Sequence, residues 1–391
     1  MESTDRIGDG AHDWDFNVRQ HLAHGQVIPA HPLALAPDRT IDERHQRALT
    51  RYYVAAGAGG MAVGVHTTGF PIHDHKIGLY RPVLELAAET ATNALTAVAN
   101  CANTANTANP ENAHESAVDG AAETVRPFVR VAGLVGDTAN AVKEAGIART
   151  LGYHCGLLSL GAWRDASDEA IIAHCRHVAD VIPLFGFYLQ PAVGGRRLSY
   201  TFWREFAEIA NVIAIKVAPF DRYATLDVVR AIADAGRNDI ALYTGNDDAI
   251  VSDLVTRIPV LTGGRAGTSH FVGGLLGQWA VWTRNAVAML DEIRAWHASS
   301  GEEMPSEWLT RGAALTMANG AIFDAANGYT GCLPGILEVL RRQGLVRGTW
   351  TFDIHEQLSP GQEELIERLA VRFPELSDDA FVREYLDDWL R

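Results

Sequence analysis

The run Val212-Ile-Ala-Ile-Lys216-Val-Ala-Pro-Phe220 sets a lysine inside a β-branched, strand-like stretch. A buried ammonium is costly unless it is paired or neutralised, so plain structural needs would not put a lysine there. Desolvation lowers a lysine's pKa and turns the amine into a nucleophile able to form a Schiff base with a carbonyl. One apolar run earlier lies Pro183-Leu-Phe-Gly-Phe-Tyr188-Leu-Gln-Pro191, with Tyr188 near its end. Lys216 and Tyr188 are therefore the first candidates for chemistry. The bland alternative has Lys216 snorkelling to a rim and pairing with an acid such as Asp221, and Tyr188 serving as a core aromatic.

Working outward, short apolar runs alternate with amphipathic stretches. The runs are Gln26–His31, Gly60–His66, Phe128–Leu134, Cys155–Leu160, Leu184–Leu189, Val212–Ala218, Ile240–Thr244 and, less sharply, Ile258–His270. Helical patterns lie between them, as over Thr40–Ala56, Thr138–Leu151, Ser167–Val181 and Thr225–Ala235. Eight strands alternating with helices predict an α/β fold with a parallel sheet covered on both faces, most simply a closed (β/α)8 TIM barrel. An open doubly wound sheet is the alternative, and no Gly-rich phosphate fingerprint after the first strand supports it. The predicted organisation is an N-terminal extension over 1–24, a barrel over 25–279 and a C-terminal helical region over 280–391 packed on it. Within the barrel, the Asn/Ala-rich segment at about 97–124 reads as a surface insertion before the third strand.

Composition narrows the partners. The 391 residues carry a formal net charge of -15, which argues against nucleic acid and anionic membrane. Cys101, Cys155, Cys175 and Cys332 lack CxxC spacing and read as reduced thiols, with neither a disulfide framework nor a zinc site. The start, Met1-Glu-Ser-Thr-Asp-Arg, has no basic and apolar export pattern, and no apolar run approaches the ~20 residues of a membrane span. The expectation is a cytoplasmic protein. His66, His73 and His75 make a loose cluster, but no metal is expected at it.

With these residues in view, the chain resembles the dihydrodipicolinate synthase and N-acetylneuraminate lyase family, Schiff-base lyases on a TIM barrel. Three motifs carry the resemblance: His66-Thr67-Thr68-Gly69 after the second strand, Tyr188-Leu-Gln-Pro191 on the fifth, and Ile215-Lys216 on the sixth. It spans roughly residues 25–375 and includes the ending Leu333-Pro-Gly-Ile-Leu-Glu-Val-Leu. The resemblance implies that Lys216 forms the imine, that Tyr188 shuttles protons, and that Thr67 and Thr68 hold the substrate carboxylate, with Thr68 counted also among the catalytic residues. It implies further that Gly69 and Gly245 turn backbone toward the substrate. No cofactor is implied, and a homo-oligomer, dimer or tetramer, is.

Departures from the family pattern bear on the substrate. His66 stands where a glycine is usual, Phe70 where an acid is common, Trp163 where a relay tyrosine belongs, and Val193 where the synthases keep an arginine. Arg196 and Arg197 are possible substitutes for the last. Phe70, Trp163 and Val193 together point away from dihydrodipicolinate synthesis and toward a less polar second substrate. His66 and Trp163 join the expected substrate-binding set.

The sequence thus predicts an aldolase or hydro-lyase acting on pyruvate or another 2-oxo acid, with an aldehyde as the expected partner. Its rivals are a keto-deoxy sugar acid dehydratase or aldolase of the same family, a non-catalytic keto-acid-binding descendant, and a metal-dependent aldolase.

Overall fold

In the computed structural model, residues 16–108, 126–299 and 303–391 are described. Among them, eight parallel strands form the central sheet: β1 Val27–Pro29, β2 Gly60–Val63, β3 Val129–Leu134, β4 Cys155–Leu158, β5 Leu184–Leu189, β6 Val212–Ala218, β7 Ala241–Thr244 and, after the hairpin of β8 Ile258–Thr262 with β9 Arg265–Ser269, β10 Gly273–Leu276. The order β1-β10-β7-β6-β5-β4-β3-β2 runs almost full circle. A parallel bridge from Ala30 to Ala62 closes it, with the His31 N–H donating to the Ala62 carbonyl at 2.8 Å. The result is the expected TIM barrel.

Helices α2 Glu43–Ala56, α3 Tyr80–Ala108, α4 Thr138–Thr150, α5 Asp168–Ala179, α6 Tyr200–Ala207, α7 Arg222–Asp234, α8 Ile250–Val255 and α9 Thr283–Ala298 follow the strands. Five start where a short polar side chain accepts from an N–H of the first turn: Asp42, Asp137, Ser167, Ser199 and Asp221. Ahead of β1, α1 Val18–Ala23 sends Leu22 into the barrel interior, and the Tyr243 hydroxyl donates to the Leu22 carbonyl at 2.8 Å. Residues 16–24 thereby help to plug the barrel end opposite the site.

Apolar side chains sort into two cores. Phe185, Phe187, Ile213, Ala214 and Ala218 fill the barrel interior, while Leu184, Tyr188, Ile215 and Val217 face the helices. That is the two-residue period of strands buried on both faces.

Three expectations are corrected. The eighth barrel strand is β10, whereas Ile258–Ser269 forms an antiparallel hairpin outside the barrel sheet. Its glycine turn, Gly263-Gly264, joins the two strands. The boundary at residue 279 falls too early, since α9 packs on α2 and β1 as the barrel's last helix. The insertion is helical at its start, because α3 continues to Ala108; the rest of it lies outside the described residues. Beyond the barrel, α10 Glu307–Ile322, α11 Cys332–Arg342, α12 Gln362–Arg372 and α13 Asp379–Trp389 form the C-terminal helical region. Among the described residues no helix is long and apolar enough to cross a membrane.

Candidate active site

Lys216 reaches the barrel interior because of one irregularity. The β5–β6 register runs from Leu184 opposite Val212 directly to Phe185 opposite Ala214, so Ile213 is an extra residue on β6. A one-residue slip exchanges the faces of everything downstream. From there, Ala214, Lys216 and Ala218 point inward and pair with Phe185, Phe187 and Leu189.

The lysine is 9% exposed, and its Nζ lies 4.8 Å from the centroid of the Phe187 ring. Burial lowers its pKa to about 8, a drop opposed by the nearby Asp247 carboxylate. Asp247 is pushed the other way, up to about 7, by its own burial and in spite of the lysine. Asp221, the alternative partner for Lys216, binds Arg197 at 2.8 Å instead.

Gly245 makes room for the lysine. A Cβ there would sit 2.7 Å from Lys216 Cε and 2.7 Å from Ala218 Cβ, so any side chain at this position would force its neighbours to shift. The following turn holds Asp247 in place: the Gln278 N–H donates to Asp247 Oδ1 at 3.1 Å, and Asn319 Nδ2 donates to its carbonyl at 2.7 Å. Behind it, buried Asp253 accepts from Thr244 at 2.6 Å and from Asn246 at 2.9 Å, and it pairs with Arg222. Asn246 Oδ1 in turn accepts from the Phe220 N–H at 3.0 Å.

A cavity of about 60 Å3 surrounds the lysine, bordered by His66, Thr67, Phe187, Gly245, Asp247 and Tyr329 among others. Its roof comes from the C-terminal region, through Phe323, Tyr329, Cys332 and Ile336. Tyr329 and Phe220 both hold left-handed backbones, at φ 69° and 52°, and their rings meet edge to face at 6.0 Å. Such strain in bulky residues persists only where the surroundings impose it, and it clusters at functional sites. Burial, then the acids Asp248 and Asp247, raise the pKa of the Tyr329 phenol.

His66 borders the same cavity, and burial followed by the charge of Lys216 lowers its pKa to about 4. It stays neutral at ordinary pH. Thr67 donates its hydroxyl proton to the Ala30 carbonyl at 2.7 Å, and Thr68 donates to the His31 carbonyl at 2.7 Å. The Thr68 oxygen also accepts from the N–H groups of Gly64 and Val65, at 3.0 and 3.3 Å. The hydroxyls expected to hold a carboxylate are thus spent on the backbone. Thr68 acts as a brace within the turn.

Two expected site residues lie elsewhere. Tyr188 pairs with Val217 on the outer face of the sheet, packs on Trp203 at 5.4 Å between ring centroids, and brackets Leu198 with its hydroxyl: it donates to the carbonyl at 3.3 Å and accepts from the N–H at 3.2 Å. Alternation decides this, since Phe187 and Tyr188 cannot both face inward. Trp163 stacks on His174 at 4.5 Å and donates Nε1–H to the Gly136 carbonyl at 3.1 Å, away from the lysine cavity. Nor does Arg196 replace the missing arginine, because it is bound to the carbonyls of Trp163 and Ala166 and to Asp168. His73 lies between two acceptors, the Gly64 carbonyl at 2.8 Å from Nε2 and the Glu144 carboxylate at 2.9 Å from Nδ1, and Glu144 also accepts from the Val135 N–H.

From the sequence alone, Asp247, Phe187 and Tyr329 carry no assigned role. Asp247 stood two residues after the strand-seven glycine and was recoverable. Tyr329 arrives from a distant segment and carried no signal.

A second cavity of about 180 Å3 adjoins the first, sharing His66 and Thr67 with it and bordered also by Thr68 and Gly69. A groove of about 470 Å3 between α9 and α10 shares no lining residue with either and offers no lysine.

No protein-family model matches the chain. A 145-residue stretch is 30% identical to the 4-hydroxy-tetrahydrodipicolinate synthase of Acaryochloris marina, covering 36% of this chain and 46% of that protein. The chain thus spans about half the length of the curated relatives it matches. N-acetylneuraminate lyase from Fusobacterium nucleatum superposes with a TM-score of 0.62 at 16% identity, over 90% of this chain and 99% of that one. YagE from E. coli K12, a dihydrodipicolinic acid synthase family protein solved in complex with pyruvate, gives 0.63 at 14% identity, over 89% and 98%. At such identities the structures speak for the fold. Together with the local sequence match, they make the chain similar in fold to the dihydrodipicolinate synthases and N-acetylneuraminate lyases, and similar in sequence to the synthases over a stretch of 145 residues.

Proposed function

We propose that the protein is a Schiff-base lyase in which Lys216 condenses with the carbonyl of a 2-oxo acid such as pyruvate. The observation that carries this reading is a lysine inside the barrel whose amine is brought to a pKa of about 8 by burial, beside a carboxylate brought to about 7. At neutral pH a useful fraction of the amine is free to attack, and a useful fraction of Asp247 is protonated to donate. In the attack a C–N bond forms, the carbonyl oxygen takes up protons and leaves as water, and the iminium becomes the electron sink for the next bond. The small cavity suits a pyruvate-sized acid at the lysine itself.

The proton work expected of Tyr188 passes in this reading to Asp247, with the Tyr329 hydroxyl as the phenol that borders the cavity. A second reading, a keto-acid-binding descendant that forms the imine but turns nothing over, draws on the phenyl ring of Phe187 at the lysine. Borohydride reduction with pyruvate, followed by peptide mass spectrometry of wild type and Lys216→Ala, tests both. A reduced adduct on the Lys216 peptide, absent from the variant, is expected. Its absence with a panel of 2-oxo acids would sink the imine chemistry, and an adduct without any aldol or dehydration turnover would favour the binding protein.

A further inference from the structure

We infer that the second cavity, beneath α11, is the subsite for the rest of the substrate and takes an uncharged aryl or branched-alkyl group. The inference rests on imine chemistry at Lys216 and adds to it the class of the partner, an apolar aldehyde. Helix α11 roofs both spaces: Cys332 and Ile336 face the lysine cavity, while Leu333 and Leu337, one residue on, face its neighbour. The two meet at His66 and Thr67, so a molecule joined to Lys216 at one end has the larger cavity as an adjoining space.

Its walls choose the occupant. Phe70, Trp350 and Phe352 supply aromatic faces, with Leu35, Leu333 and Leu337 filling between them. Burial of apolar surface is then the main source of affinity. The threonine hydroxyls here offer no proton to a polyhydroxylated chain: those of Thr67, Thr68 and Thr351 all go to backbone carbonyls, those of Ala30, His31 and Asp353. Carboxylated partners meet the wrong sign. The lining contains Asp353 and Glu356 and neither lysine nor arginine, and its histidine, His66, is held neutral. A carboxylate-bearing aldehyde would enter against two acids and with no cation to receive it.

The reaction balances without a further reagent. Loss of a proton from the methyl group of the pyruvyl iminium gives an enamine. The enamine carbon attacks the aldehyde carbon, the aldehyde oxygen takes a proton, and water hydrolyses the new iminium. Lys216 is freed together with a hydroxylated 2-oxo acid.

The test uses the full chain with pyruvate and four aldehydes: benzaldehyde, isovaleraldehyde, succinic semialdehyde and glyceraldehyde. Borohydride trapping comes first and reports on the imine alone; failure there removes the parent reading and this one together. With the adduct formed, kcat/KM for benzaldehyde or isovaleraldehyde is expected to exceed that for the other two by about tenfold or more. Leu337→Trp, which fills the cavity from α11, should lower the benzaldehyde value by about tenfold and leave pyruvate adduct formation at the wild-type level. Leu333→Phe serves as the second filling variant should the first fail to fold. A wild type that prefers succinic semialdehyde or glyceraldehyde, or accepts no aldehyde, overturns the subsite. So does a folded filling variant with an unchanged profile.

Discussion

Phe187 and Lys216 are cross-strand partners on β5 and β6, both aimed into the barrel, with the Lys216 Nζ 4.8 Å from the ring centroid. The ring face attracts the ammonium through its quadrupole and so favours the charged form. Phe187→Leu should therefore lower the lysine pKa further and move the rise of imine formation to lower pH. A pH–rate profile of borohydride trapping measures it, and an unmoved profile would show that the ring only fills space.

Lys216 is costly to the fold. Its pKa of about 8 lies below the ordinary 10.5, so the folded state disfavours the charged form. That penalty is complete below pH 8, shrinks as pH rises toward 10.5, and is gone above it, where both states are neutral. Lys216→Met should stabilise the protein by about 3 kcal/mol at neutral pH, from the size of the shift, and by little in strong alkali. Calorimetric melting of both proteins at the two pH values checks the sign and the trend.

Asp247 raises the pKa of Lys216 and, in the proposed reading, also moves protons. The two roles separate experimentally. Asp247→Asn removes the negative charge, so trapping of the pyruvate adduct should set in at lower pH than in wild type. Turnover should fall by about a hundredfold or more, the usual contribution of a positioned acid or base. Equal loss of trapping and turnover would instead point to a collapsed site.

Tyr188→Phe tests the correction on β5. Its hydroxyl bonds the backbone of Leu198, on the outer side of the sheet. Adduct formation and turnover should stay close to wild type, while stability falls by about 1 kcal/mol for the lost hydrogen bonds. A large loss of turnover with the melting temperature kept would return Tyr188 to the chemistry.

Gly245→Ala is the sharpest steric test. The added Cβ would lie 2.7 Å from Lys216 Cε, so the lysine must leave its path. Trapping at Lys216 should drop strongly, as the yield of borohydride-reduced Lys216 peptide measures, and an unchanged yield would show that the lysine finds another path.

Much of this was legible in the sequence, and the gaps have physical causes. β5 and β6 are read at their true limits because their apolar runs are long and bounded by prolines and loop residues. Which of two adjacent aromatics faces the lumen is another matter. Phe187 and Tyr188 suit either face, and the bulge at Ile213 that sets the register of Lys216 leaves no mark in composition. The last barrel strand hid for a different reason. Gly273 is needed because a Cβ would sit 2.5 Å from the Gln26 carbonyl oxygen, and the resulting Gly-Gly-Leu-Leu carries less β signal than the hairpin before it. Roofing residues from α11 and the turn before it meet Lys216 only through the tertiary fold.

Among the described residues, β1 and β2 are the neighbouring barrel strands joined by a lone bridge, and the hydroxyls of Thr67 and Thr68 reach across that joint to the carbonyls of Ala30 and His31. The hoop is buckled by the same four-residue turn that borders both cavities. Anything seated on the turn bears on the buckle, so occupancy should be felt around the whole circumference, as slower amide exchange in strands that never touch the ligand.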